Sequence, residues 1–303
     1  MESSMKHVVS ISLGSSARDK RVETEILGES VLIERIGTDG DQQLARRKYL
    51  ELDGQIDCFG IGGCELGVPI GSRYYKIHAV QNLVEGLKTP AVDGLGIRSA
   101  VEGNIADWLD KQTGEKVGGS TVMFCVGSGR YHMLDSFRRQ GCRLMICDAG
   151  FLLGIPLYTR HLAIGKFFVT LYGPLVSRLP FSVLYPTGEK QRVNRPRFRR
   201  WFEKADIIAD DFHYIRRNMP EDLSGKIIVT NTTTEEDLEE LKKRNVRLLC
   251  TTTPRLNGRS FGTNVMEAAL TAIGGNGKTL PPDRLRMMLD EARIQPTLNL
   301  LNP

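Results

Sequence analysis

The sequence has no CxxC pair and only six cysteines among its 303 residues. Four of the six lie in apolar runs typical of strands, so neither a zinc site nor a disulfide framework is indicated. We therefore predict no metal site. No signal peptide is recognisable at the start of the sequence, and we expect a reducing, cytoplasmic location.

Long apolar runs and dense basic stretches are also missing. The most apolar region, residues 151–186, is interrupted by charged side chains and prolines, so it is too broken for a membrane span. The net charge is only +5, with acids and bases interleaved through most of the chain. The one basic cluster, residues 192–200, fits a solvated connector better than a nucleic-acid patch. We expect neither a membrane span nor a nucleic-acid partner.

Strand-like and helix-like segments alternate along the chain, which predicts an α/β fold with two domains. Residues 1–117 form an N-terminal α/β domain on the substrate side in this prediction. Residues 118–277 form a Rossmann-like, doubly wound parallel sheet with an apolar insertion at 151–200, and residues 278–303 form a C-terminal tail. Within the insertion, residues 151–184 resemble buried or interface helices, and we expect that they could join two copies into a homodimer.

Local patterns in the first half predict individual elements. The apolar runs 22–27 and 30–36 are separated by Gly28-Glu29, which is typical of a hairpin. The segment 41–52 has helical spacing and begins with Asp41, a good N-cap residue. In the second half, Thr234 can cap the charged helix that follows it.

The most informative stretch is residues 120–150, which has the outline of a dinucleotide-binding βαβ unit. An apolar run ends at Gly127-Ser128-Gly129, a short helical segment follows, and a second apolar run ends at Asp148. Such a unit needs glycines for close approach of the backbone to a pyrophosphate, and an acid about 20 residues later for a ribose hydroxyl. We predict that Gly127, Ser128, Gly129 and Asp148 bind NAD or NADP.

Two details of this fingerprint remain open in the sequence. Asp148 follows Gly127 by 21 positions, as the pattern requires, but His132 stands where a third small residue is expected. Asp148 favours NAD because a carboxylate would repel a 2′-phosphate, whereas the nearby Arg130 and Arg143 leave NADP possible. A strand–turn–helix without any nucleotide is the alternative interpretation.

Polar residues follow the later strands of the second half, where ligands sit in parallel sheets. Asp210 and His213 are candidates to line a cofactor pocket. The residues predicted to bind cofactor there are Asn231, Thr232, Thr252 and Thr253. The following loop carries Arg255 and Arg259, whose guanidinium groups could hold a substrate carboxylate or phosphate. A structured loop that caps the next helix is the alternative.

In the first half, polar turns supply candidates for substrate binding and proton transfer. Ser15 and Ser16 follow the first strand and offer hydroxyl groups to a substrate. Lys20 with Asp93 or Asp39 is a reasonable device for moving a proton at an alcohol carbon, and we take Lys20 and Asp93 as the catalytic pair. Each of these residues could equally be a solvated turn residue.

Six motifs distributed over nearly the whole chain resemble a bacterial family labelled quinate 5-dehydrogenase. They are GSSARDKRVE, IGTDGD, LPFSVLYPTGEKQ, ADIIADDFHYI, NTTTEEDLEEL and TTTPRLNGRSFGTNVMEA. The resemblance implies NAD(P)-dependent oxidation of quinate, or of a related cyclic polyol acid, at a ring hydroxyl. The GAGG cofactor loop and the Asn-Val-Thr-x-Pro-x-Lys context of shikimate and quinate dehydrogenases are absent, so Lys20 and Asp93 rest on turn chemistry alone.

The leading hypothesis is thus an NAD(P)-dependent dehydrogenase acting on a small hydroxylated carboxylic acid. Two Rossmann-like halves also describe glycosyltransferases that use nucleotide-sugar donors, with an arginine-rich loop holding the diphosphate. A non-catalytic nucleotide-binding protein is the third hypothesis. Preference for a dinucleotide or for a nucleoside diphosphate discriminates between the first two.

Overall fold

The computed structural model describes residues 5–70, 73–164, 174, 177–178, 194–253, 255–256, 259–260 and 262–303. Two sheets of mostly parallel strands, one in each half, organise these residues. Helices pack against both sheets, which confirms the predicted two-domain α/β class with a Rossmann-like second half.

The strands of the first half follow the predicted hairpin and buried runs. They are β1 (Lys6–Ser12), β2 (Lys20–Ile26), β3 (Glu29–Gly37), β4 (Cys58–Gly62), β5 (Gly67–Ile70), β6 (Arg73–Lys76) and β7 (Ala91–Val92). Five of them form a sheet in the order β2-β3-β1-β4-β7, in which only β2 is antiparallel to its neighbour. Leu27 and Gly28 both have positive φ, the backbone that a two-residue hairpin turn requires. The separate β5–β6 hairpin was not predicted.

The first sheet is covered by local helices and by one helix from the far end of the chain. The local helices are α1 (Gln42–Leu52), α2 (His78–Val84), α3 (Leu95–Glu102) and α4 (Ile105–Thr113). Asp41 caps α1 as predicted, because its carboxylate accepts from the N–H groups of Gln43 and Leu44.

The second sheet has six strands in the order β15-β12-β11-β10-β8-β9. The strands are β8 (Thr121–Phe124), β9 (Arg143–Ile146), β10 (Ile207–Ala209), β11 (Ile227–Thr230), β12 (Leu248–Thr251) and, from the tail, β15 (Thr297–Leu300). A two-stranded ribbon between them pairs β13 (Arg255–Leu256) with β14 (Arg259–Ser260). The strands β8 to β12 are parallel, and β15 runs antiparallel beside β12. The tail therefore completes the edge of this sheet.

The helices of the second half connect its strands or return to the first. They are α5 (Tyr131–Arg139), α6 (Asp148–Leu153), α7 (Arg199–Lys204), α8 (Phe212–Asn218), α9 (Glu235–Lys243), α10 (Thr263–Gly274) and α11 (Pro282–Glu291). Thr234 caps α9 as predicted, in a reciprocal pair with Asp237.

One packing result differs from the sequence prediction. Helix α10, which the sequence placed at the end of the second domain, packs on β1 and β4 of the first sheet. It is buried on nearly every side, since Val265, Met266, Ala268 and Leu270 all lie in the same core as Val8. A helix that is apolar all round must be covered on all sides, and the first sheet together with α3 and α11 supplies that cover.

The predicted homodimer contact at 151–184 and the turn at 185–191 fall largely or wholly outside the described residues. In the part of the chain that is described, no helix has the length and apolar character needed to cross a membrane.

Candidate nucleotide-binding crevice

Each sheet contains one point at which the strand order reverses. In the second sheet the chain passes from β8 to β9 on one side and then returns to β10 on the other side of β8. In open parallel sheets, ligands bind in the crevice outside the carboxyl ends of the strands at such a point. The residues that follow β8 and β10 therefore define the candidate site.

The turn after β8 is held by Asp148, at the start of α6. The N–H groups of Gly127 and Ser128 donate to the two carboxylate oxygens of Asp148, at 2.9 and 3.1 Å. Burial raises the pKa of Asp148, and the hydrogen bonds from Ser128 and Gly127 oppose that rise. The structure thus brings together the predicted glycine turn and its acid.

The glycines of the turn have different tasks. A Cβ on Gly127 would lie 2.9 Å from Leu134 and 3.2 Å from Ile146, so this glycine permits close packing of α5 on the sheet. A Cβ on Gly129 would meet nothing within 4 Å, so this position faces open space. His132 is half-buried, and burial lowers its pKa. The small residue that the fingerprint requires for helix–strand packing is supplied by Gly127.

Asp210 ends β10 and closes the crevice from below. Its carboxylate accepts from the N–H of Val126, at 2.5 Å, and from the N–H of Asp211, at 2.6 Å. Burial raises the pKa of Asp210 to about 7, although both N–H donors and the nearby Arg130 act in the opposite direction. Asp210 fixes the two loops of the switch point relative to each other.

Arg130 is the centre of a buried ion cluster that joins the two domains. Its side chain is 4% exposed and donates to Glu102, on α3, at 2.7 Å. It also forms an ion pair with Asp211, which follows β10. Burial would lower the pKa of Arg130, but the carboxylates of Glu102 and Asp211 outweigh it and raise that pKa.

Asp211 connects this cluster to a histidine at the surface. One oxygen of its carboxylate lies 2.7 Å from Nδ1 of His213 and accepts from the amide of Asn231, at 3.1 Å. Burial acts to raise the pKa of Asp211, but Arg130 and His213 outweigh it and hold that pKa well below its usual range. The pKa of His213 is raised, since Asp211 outweighs the effect of burial. The result is a carboxylate–imidazole pair at the mouth of the crevice.

The remaining polar residues predicted on this edge lie where the sequence placed them. Besides Asn231, the hydroxyl groups of Thr232 and Thr253 are 2.7 Å apart, and the N–H of Thr252 donates to the carbonyl of Thr230. For Arg255 and Arg259 the described structure is the backbone, in which Arg255 pairs with Ser260 and Arg259 with Leu256, directly after β12.

The predicted catalytic pair is not assembled. Lys20 begins β2, at one edge of the first sheet, whereas Asp93 follows β7, at the opposite edge. Four strand spacings of about 4.8 Å separate those edges by roughly 19 Å. The carboxylate of Asp93 instead accepts from the N–H groups of Leu66 and Leu95, at 2.7 and 2.9 Å. The assignment of Lys20 and Asp93 as partners in proton transfer is therefore wrong.

Ser15 and Ser16, predicted to bind substrate, lie in an exposed turn after β1. The hydroxyl of Ser15 accepts from the N–H of Ala17, and the N–H of Ser16 donates to Asp39, at 2.9 Å. The two polar turns of the first half therefore face each other, as the sequence suggested. They lie at the carboxyl end of the first sheet, with Asp19 bound to Arg35 beside them.

A polar groove lies at the other end of the second sheet, but its charges are already satisfied. Arg247 donates twice to Glu115, at 2.9 and 2.8 Å. Lys226 donates to the carbonyl of Glu203, and Asp206 accepts from the N–H of Thr121. This groove is at the amino ends of the strands, where parallel sheets do not place their ligands.

Sequence reasoning singled out Asp210 and His213 as pocket residues but missed Asp211 and Glu102. The doubled acid after a buried strand, Asp210-Asp211, was the available signal. Glu102 gave none, because it meets Arg130 only through the packing of α3 beside α5. Among the described residues, no group of three His, Cys, Asp or Glu side chains is arranged to hold a metal ion.

Comparison with protein families assigns this fold to a family without an assigned activity. The chain belongs to the family described as Domain of unknown function (DUF8754), whose model matches residues 96–301. A second model, Domain of unknown function (DUF8753), matches residues 7–93. The two models meet beside Asp93, between β7 and α3. No curated protein sequence matches the chain.

Solved structures with a similar layered arrangement include enzymes and binding proteins. A hetero-hexameric glutamate dehydrogenase from Thermus thermophilus is 13% identical, with a TM-score of 0.44 over 95% of this chain and 73% of that one. GanP, a glucose-galactose binding protein from Geobacillus stearothermophilus, is 11% identical, with a TM-score of 0.37 over 98% of each chain. A dipicolinate synthase from Bacillus halodurans is 10% identical in the one polypeptide compared, with a TM-score of 0.31 over 95% of this chain and 96% of that one. All three TM-scores are below 0.5, and none of these likenesses indicates a ligand for this chain.

Proposed function

We propose that this protein is an NAD(P)-dependent dehydrogenase that oxidises a hydroxyl group of a small polyol carboxylic acid. The observation that carries the proposal is the Asp148 carboxylate bound to the Gly127-Ser128 turn, at the switch point of a parallel sheet. A glycine turn after the first strand and an acid after the second are what a dinucleotide needs for its pyrophosphate and its ribose.

The residues of the crevice fit a dinucleotide in one specific way. The N–H groups of Gly127 and Ser128 donate to Asp148, and the N–H of Gly129 donates to the carbonyl of Val126. The pyrophosphate would therefore depend on the first turn of α5, whose N-terminus has no side-chain cap. Gly129 leaves space above that turn, and Asp148 remains partly accessible for a ribose hydroxyl.

Within this proposal NAD is favoured over NADP. Asp148 would repel a 2′-phosphate. Arg143 begins β9, at the end of the strand opposite Asp148. Arg130 is engaged by Glu102 and Asp211. Neither of the two arginines that kept NADP open in the sequence is therefore directed to that phosphate.

The substrate class rests on the resemblance to the quinate 5-dehydrogenase family. A cyclic polyol acid presents hydroxyl groups and one carboxylate. Arg255 or Arg259, after β12 on the same edge as the crevice, would hold the carboxylate, as guanidinium groups do. Ser15 and Ser16 on the first domain would offer hydrogen bonds to the hydroxyl groups.

Binding of NAD⁺, followed by protein fluorescence, tests the proposal with three variants. In Gly129→Val, the new side chain would fill the open space above the turn, and we expect NAD⁺ affinity to fall at least about tenfold. In Asp148→Asn we expect a loss of similar size, since hydrogen bonds to charged groups contribute about 1.5–3 kcal/mol.

Asp206→Asn is the matched control. Asp206 also accepts from a backbone N–H of β8, but at the opposite end of the sheet, so its loss should leave NAD⁺ affinity unchanged. No binding of NAD⁺ or NADP⁺ at millimolar concentration would refute the proposal. Thermal stabilisation by a nucleoside diphosphate and none by a dinucleotide would support the glycosyltransferase alternative instead.

A further inference from the structure

His213 stands at the mouth of the crevice with half of its side chain exposed. It lies in the first turn of α8, directly after the β10 end of the switch point, and its side chain is 48% exposed. Its ring packs against the ring of Tyr214, with centroids 4.0 Å apart. A titratable group in this position can meet a ligand without any rearrangement of the fold.

Asp211 fixes the imidazole from behind. Oδ1 of Asp211 lies 2.7 Å from Nδ1 of His213 and is also held by the amide of Asn231. Oδ2 of Asp211 is paired with Arg130, which is anchored in turn by Glu102. A carboxylate paired with a guanidinium is ionised and can only accept hydrogen bonds. The proton of the neutral imidazole is therefore on Nδ1, and Nε2 carries the free lone pair.

We propose that His213 is the acid–base residue of the oxidation and that Asp211 is its positioning residue. The inference rests on the proposed function and replaces the Lys20–Asp93 pair, which the fold keeps apart. Nε2 of His213 takes the proton of the substrate hydroxyl as the adjacent C–H bond gives up its hydride. A nicotinamide, when bound, would accept that hydride with its two electrons. The alcohol becomes a ketone and the imidazole becomes an imidazolium, which Asp211 stabilises.

The charged groups around His213 determine the pH at which it works. Asp211 and Asp210 favour the imidazolium and Arg130 opposes it, with the net effect that the pKa of His213 lies above its ordinary value of 6.5. Only the neutral ring can accept a proton, so alcohol oxidation should rise with pH through an inflection above 6.5. Ketone reduction, which needs the imidazolium, should show the opposite dependence.

The first test follows the ring itself and needs no substrate. In an NMR titration of the folded protein, we expect His213 to titrate above pH 6.5 in the wild type and lower in Asp211→Asn. The neutral ring is acylated by diethyl pyrocarbonate, and saturating NAD⁺ should slow the acylation of His213 at least about threefold. His78, which is exposed on the first domain, is the internal control and should not be protected.

The second test measures turnover of quinate with NAD⁺. His213→Gln should lose at least about 100-fold in kcat, the usual contribution of a general acid–base group, with the Kd for NAD⁺ unchanged. His78→Gln should retain both. In Asp211→Asn the inflection of the pH profile should move down, a shift that a merely structural role would not produce.

Several outcomes would overturn the inference without touching the proposed function. They are NAD⁺ binding that leaves the acylation of His213 unchanged, an ordinary His213 titration in the wild type, and full turnover in His213→Gln. A wild type that binds neither NAD⁺ nor NADP⁺ would refute the proposed function itself, and the acid–base role with it.

Discussion

The two sheets of this protein have the same kind of switch point but use it differently. In the first sheet the reversal lies between β1 and β4, and in the second between β8 and β10. At the first, Ser12 and Gly62 are packed against each other, since a Cβ on Gly62 would lie 2.7 Å from that of Ser12. At the second, Gly129 faces open space and His213 is half exposed.

The carboxylates at the two edges are used differently as well. Glu267, on α10, accepts from the N–H groups of Gly96 and Ile97 and so caps α3, which Asp93 also helps to hold. At the second edge, Asp211 holds a surface histidine. The comparison teaches that topology creates a crevice in both halves. Which polar groups remain for a ligand depends on what packs beside it, and at the first sheet that is α10.

The largest effect should come from Arg130→Met. This change leaves Glu102, whose side chain is 3% exposed, and Asp211 without their counter-ion. Removing one partner of a buried ion pair typically costs about 3–5 kcal/mol, and we expect a loss of that size in the free energy of unfolding, measured with urea. Arg138→Met is the control, because Arg138 pairs with Asp135 at the surface and should cost under about 1 kcal/mol. Equal losses in the two variants would show that the cluster does not join the domains.

A smaller effect, on the order of 2 kcal/mol, should come from Glu267→Gln, and it should depend on pH. Burial raises the pKa of Glu267 from 4.5 to about 7, with Asp93 acting in the same direction. Between those pH values the folded state binds more protons than the unfolded state, so this group's contribution to stability is lost as pH rises from about 4.5 to about 7. Gln stays neutral, and its oxygen can still accept from Gly96 and Ile97.

The check is a series of urea unfolding curves from pH 5 to pH 8. Glu267→Gln should flatten the fall in stability over that range and should be the more stable protein at pH 8. A variant with the same pH slope as the wild type would show that Glu267 is ionised throughout.

The smallest effect contrasts a glycine from each crevice. In Gly62→Ala the methyl group would collide with Ser12 on the neighbouring strand, and we expect a loss of about 1–2 kcal/mol from overpacking. In Gly129→Ala nothing lies within 4 Å, and we expect a change within about 0.5 kcal/mol, or a slight gain from a stiffer unfolded chain. Thermal unfolding of the two variants compares them directly. The reverse order would mean that the first crevice is the open one.

Much of the local structure could be read from the sequence, because its determinants lie within a few residues of one another. The β2–β3 hairpin follows from Gly28, α1 from the cap at Asp41, and α9 from Thr234 with Asp237. The strand–turn–helix around Gly127 and the position of Asp148 were predictable for the same reason. Their spacing is fixed by the geometry of a βαβ unit.

The contacts that assemble the site could not be read in this way. Glu102 and Arg130 are 28 residues apart, Arg130 and Asp211 are 81, and each pair meets only because two separate elements pack side by side. Lys20 and Asp93 both follow the chemistry expected of a catalytic pair, but the strand order places them at opposite edges of one sheet.

The sequence by itself determined the alternation of strands and helices, the caps and the glycine turn, since these depend on backbone preferences and hydrogen bonds between near neighbours. Only the tertiary structure decided that α10 returns to the first sheet and that Arg130 is buried between Glu102 and Asp211. It also decided that His213 faces the crevice with a carboxylate behind it. Burial and long-range charge pairing change both the pKa of a side chain and its access to a ligand, and neither is encoded in the spacing of residues along the chain.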